Sequence, residues 1–101
     1  MEDIRFDLNT DDLKILKRII KQLESDDIDV FLFLAPYHPL YVPKISNLDS
    51  LIQEVELNSE LEVVDLSNLV QQREYFADRV HTNQNGAEMI GDTLIRMISS
   101  Q

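Results

Sequence analysis

Val30-Phe31-Leu32-Phe33-Leu34-Ala35-Pro36 is the stretch that decides the fold. Six apolar residues run without polar alternation into a proline. That pattern reads as a strand covered on both faces, and such strands lie in the middle of parallel sheets. Upstream, Leu13, Leu16, Ile20 and Leu23, with Ile19 alongside, recur at helical spacing, while Lys14, Lys17, Arg18 and Lys21 make the solvated face. Asn9 or Thr10 starts this helix, Asp11 and Asp12 suit its positive end, and Ser25-Asp26-Asp27 breaks it. The four basic residues are ringed by Asp11, Asp12, Glu24, Asp26 and Asp27, which argues for a solvated face over a phosphate patch.

Downstream, Ser46 or Asn47 caps a second helix carrying Leu48, Leu51, Ile52 and Val55 and ending near Leu57-Asn58. Residues 62–66 then read as a second strand, joined to the first by a right-handed parallel crossover. Ile4, Phe6 and Leu8 alternate with Arg5 and Asp7, so residues 1–9 read as an edge strand or an extended arm. The class is therefore α/β, a small parallel sheet of two to three strands with flanking helices. Two strands alone are marginal. The arm, a second copy of the chain in a homo-oligomer, or an upstream segment is expected to complete the sheet.

Pro36-Tyr37-His38-Pro39-Leu40-Tyr41-Val42-Pro43 follows the first strand as a rigid loop, because proline removes donors and disfavours helix in the residue before it. It leaves the carboxyl end of the strand, where open α/β sheets place ligands. Pro36, Tyr37, His38 and Tyr41 are candidates for lining a substrate pocket; the alternative is aromatic packing within the loop. A metal shared by His38 and His81 lacks a third ligand at suitable spacing, so no metal or cofactor is expected.

Residues 67–77 are mixed, with Leu69, Val70, Tyr75 and Phe76 as anchors. After them comes Asp78-Arg79-Val80-His81-Thr82-Asn83-Gln84-Asn85-Gly86. The spacing of Asp78 and His81 lets one turn of backbone place both side chains on the same side. The carboxylate then accepts the Nδ1 proton and leaves Nε2 free as a base. Asp65, near the end of the second strand, is a rival carboxylate. A purely structural pair, tying the loop to the next helix, is the competing reading. Thr82 or Asn83 caps the last helix, whose stripe Ala87, Ile90, Leu94, Met97 and Ile98 is expected to pack inward, with Gly86 allowing close approach to the strand layer.

Asp-x-x-His followed by Asn and Gly before a terminal amphipathic helix resembles the last motif block of the SGNH (GDSL-type) hydrolases, and residues 30–36 resemble a core strand of the same fold. The resemblance spans residues 13–98 and covers only the C-terminal half of that flavodoxin-like domain. It implies that Asp78 and His81 are the acid and base of a Ser-His-Asp triad acting on an acyl ester, with Asn83 joining the pocket candidates. The family's Gly-Asp-Ser block and its oxyanion-hole Gly and Asn blocks are not in this chain. Gly91-Asp92-Thr93-Leu94 looks like the first of these but falls within the last helix, which cannot offer an exposed nucleophile turn. The resemblance thus implies an SGNH-like module that, as an isolated chain, hydrolyses esters negligibly. The rival is a non-catalytic α/β interaction module. A response-regulator-like or flavodoxin-like domain would need an acidic cluster at the first strand end or a phosphate-cradling loop.

Length and charge bound the rest. A chain of 101 residues accommodates one small domain, here a partial one over residues 1–101. Nine basic against nineteen acidic residues give a net charge of −10, which repels nucleic-acid backbones. The absence of cysteine removes disulfides and thiol chemistry. No leader-like or membrane-spanning run is found, so the chain as given reads as cytoplasmic by default, and as exported if it is the end of a longer precursor.

Overall fold

The structure, a computed structural model, describes residues 3–100. Residues 1 and 2 of the expected arm lie outside the described residues. The chain divides into two compact units, one of residues 3–34 with Ile45–Asp65, the other of Ala35–Lys44 with residues 66–100.

The first unit holds the sheet. Helix α1 (Thr10–Ser25) begins where Asn9 Oδ1 accepts the Asp11 N–H at 2.7 Å. It ends where Asp27 takes a left-handed φ of 63° and the Ile28 N–H reaches back to the Leu23 carbonyl at 3.0 Å. Both ends are thus fixed by residues the spacing singles out. Leu13 and Ile20 are buried, and Leu16 and Leu23 half-buried. Helix α2 (Leu48–Ser59) packs on α1 and on strand β2 (Val63–Asp65). Strand β1 (Leu32–Leu34) pairs with β2 in parallel, Leu32 with Val63 and Leu34 with Asp65. The α/β class with a small parallel sheet and flanking helices is what the chain forms.

Among the described residues the sheet has two strands, within the expected two to three. Two details depart from expectation. The arm lies alongside residues 45–47 instead of extending the sheet. Ile4 bridges Ile45, the Ser46 N–H donates to the Ile4 carbonyl at 2.7 Å, and the Asn47 amide brackets the backbone of Phe6. Asn47 therefore stands at the N-cap of α2 without making a side-chain cap bond. Nor is β1 covered on both faces, since Phe31 is 49% and Phe33 41% exposed. With only two strands there are no further crossovers to lay helices over the second face.

In the second unit Val70, Ser67, Leu66, Val42 and Pro36 are buried. Its one long helix, α3 (Gln84–Ser99), packs on a single 3₁₀ turn, Arg73–Tyr75. Ile90, Leu94 and Met97 are half-buried, but Ala87 and Ile98 are exposed, so the expected inward stripe holds only in its middle. One short turn is too small a partner to cover a helix of 16 residues. Gly86 is the point of closest approach. A Cβ there would lie 2.6 Å from Thr82 Cβ and 2.9 Å from the Tyr75 carbonyl oxygen. The glycine therefore admits this turn against the helix, where the strand layer was expected from the sequence.

Candidate active site

Residues 76–82 form a closed loop. Phe76 and Thr82 make an antiparallel bridge, and the Ala77 N–H donates to the His81 carbonyl at 2.7 Å. The Asp78 carboxylate turns into this loop. Its Oδ1 accepts the backbone N–H of Val80 at 2.9 Å and of His81 at 2.8 Å, an Asx-type turn. The same carboxylate faces the imidazole of His81, with Nδ1 2.7 Å from Oδ2 and 2.9 Å from Oδ1. Asp78 is therefore a carboxylate partner of the His81 ring.

These contacts hold the Asp78 carboxyl at about 2, below its ordinary 3.8. The Val80 N–H contributes most, followed by the His81 ring and the His81 N–H. An ionised carboxylate beside Nδ1 selects the neutral tautomer that carries its proton there, leaving the Nε2 lone pair free. The His81 side chain is 74% exposed and that of Asp78 56%, so Nε2 is open to solvent and solutes.

Helix α3 anchors the loop from the other side. Asn83 is its N-cap, with Oδ1 accepting the Gly86 N–H at 3.1 Å. The Asn83 Nδ2 donates to the Glu74 carbonyl at 2.7 Å and its backbone N–H to the Tyr75 carbonyl at 2.8 Å. Both polar ends of the Asn83 side chain are thus engaged in holding the loop.

The loop of the pocket candidates meets this one directly. The His38 N–H donates to the Arg79 carbonyl at 2.8 Å, and the Arg79 guanidinium lies 4.5 Å above the Tyr41 ring. His38 stacks edge-on to Tyr41 at 5.3 Å and tilted on Phe76 at 5.2 Å. Its Nδ1 accepts the Leu40 N–H at 3.1 Å, which in the neutral ring places the proton on Nε2. Tyr37 donates its N–H to the Ser67 carbonyl at 3.1 Å, and Pro36 is buried beneath. Arg79 is the residue that sequence reasoning passed over. Its neighbours in the chain pointed to it only through Asp78, because its aromatic partners lie about forty positions upstream.

Among the described residues no group of three or more His, Cys, Asp or Glu side chains is arranged to hold a metal ion. No helix among them is long and apolar enough to cross a membrane. A scan against protein-family models finds no match, and searches of the curated proteins and of the solved structures find none either.

Proposed function

We propose that Asp78 and His81 are the acid and base members of an SGNH hydrolase-like acyl-ester site, to which a hydroxyl nucleophile is supplied from outside the pair. The observation that carries this reading is the 2.7 Å contact from Asp78 Oδ2 to His81 Nδ1 with the ring 74% exposed. In the reaction, Nε2 removes the hydroxyl proton as the oxygen attacks the ester carbonyl carbon, then returns it to the leaving alcohol. Asp78 orients the ring and stabilises the imidazolium. His38, Tyr41 and Arg79 would border the acyl or alcohol group. Without a nucleophile turn or an oxyanion hole, unactivated esters are expected to remain intact, since a single oxyanion-hole donor supplies a factor of about 10² to 10³ and the nucleophile about 10⁶.

A short nitrophenyl ester tests the pair, because its leaving group needs no proton and water serves as nucleophile. Wild type is expected to exceed His81→Ala, with Asp78→Asn losing most of the difference. Equal rates in wild type and His81→Ala would overturn the proposal.

A second reading has its own observation. Asp78 accepts two backbone N–H groups besides the imidazole, which suffices to account for the pair as a staple of residues 76–82 in a non-catalytic interaction module. On that reading Asp78→Asn loosens the loop and leaves ester turnover untouched.

A further inference from the structure

Helix α1 concentrates four of the nine cations of this chain on one stripe, Lys14, Lys17, Arg18 and Lys21. They follow at i, i+3, i+4 and i+7, so their helical neighbours carry like charge and each such pair destabilises the helix. Among the described residues none of the four forms an ion pair, although the chain holds nineteen carboxylates. Together with Gln22 and Ser25 the stripe forms an open face of α1. Along its margin Ile15 and Ile19 are 45% and 49% exposed. This is a surface for an acidic segment that also carries apolar side chains.

Such a segment lies next to it on the same element. Asp26, Asp27 and Asp29 follow α1 directly, exposed, with Ile28 48% and Phe31 49% exposed between and beyond them. The helix cap holds the segment in place through the Ile28 N–H to Leu23 carbonyl bond and the left-handed Asp27. One neutral donor, Gln22 Nε2 at 3.3 Å, reaches Asp26.

We infer that α1 and the acidic turn after it form a self-complementary surface through which two copies of this chain associate. Two complementary patches adjacent on one element are what an isologous contact requires, since a two-fold axis beside the last turns of α1 sets each patch against the other copy's opposite one. The acidic turn of one copy then neutralises the Lys17 and Arg18 region of the other, and Ile28 covers the exposed isoleucines. An extended polyanion is the poorer occupant. It brings no apolar side chains to the exposed Ile15 and Ile19, which Ile28 and Phe31 of a second copy can cover.

The test is sedimentation velocity on the full chain across a concentration series. Wild type is expected to pass from the 11.8 kDa monomer to twice that mass. Lys17→Glu with Arg18→Glu is expected to remain monomeric, as is Asp26→Lys with Asp29→Lys. An equimolar mixture of the two variants should regain the dimer, because every reversed contact is then again between opposite charges. All four positions are exposed, and circular dichroism verifies that each variant folds. A wild type that stays monomeric, a dimer that survives either reversal, or a mixture that stays monomeric would each overturn the inference.

Discussion

Asp78 carries out several tasks with one carboxylate, accepting two backbone N–H groups and the His81 ring. Because its folded value of about 2 lies below the ordinary 3.8, the stability it contributes to its loop is present above 3.8 and is lost as pH falls through about 2. Loop order followed by NMR should therefore decay across that window in wild type and be flat in Asp78→Asn. Asn83→Ala removes the α3 cap and the Glu74 tie together, and is expected to lower stability by about 1 to 2 kcal/mol in urea unfolding. Gly86→Ala pushes a methyl into Thr82 and the Tyr75 carbonyl, with an expected loss of about 1 to 3 kcal/mol. The Asp78 and His81 pairing and the Asn83 cap were legible in the sequence because each spans three residues, within reach of one turn of backbone. Arg79 over Tyr41 was not, because nothing local to either residue announces a contact across so many positions.

Elements were legible where their ends carry their own chemistry. Asn9 and the Ser25-Asp26-Asp27 break bound α1 as expected, and the β1 and β2 pairing is parallel. What was not legible is how much each element buries. An unbroken apolar run implies two covered faces only if enough partners exist, and residues 31 and 33 are left open. The stripe of α3 fails at Ala87 and Ile98 for the same reason. The exit of α2 offers a direct test. Glu60 holds φ at 60°, a left-handed conformation in which a Cβ is strained. Glu60→Gly is expected to raise stability by about 1 kcal/mol, read as a higher denaturation midpoint at constant slope.

At the scale of the whole chain the dominant quantity is the net charge of −10. The excess of nineteen carboxylates over nine cations makes the folded chain repel itself, and salt screens that repulsion. The melting temperature is expected to rise between roughly 0.01 and 0.15 M ionic strength, where the Debye length falls from about 30 to 8 Å. A fall over that range would mean that attractive pairs outweigh the net charge. The composition made this sign legible at once, and helical spacing had already gathered Lys14, Lys17, Arg18 and Lys21 on one face of α1.

Everything proposed for the site depends on Asp78 holding the Nδ1 proton of His81 so that Nε2 is free. Long-range nitrogen-proton correlation of the histidine rings, recorded where the imidazoles are neutral, reads this directly. The account predicts His81 with a protonated Nδ1 and a bare Nε2, and an averaged tautomer pattern in Asp78→Asn. A His81 ring protonated on Nε2 in the wild-type chain would contradict it.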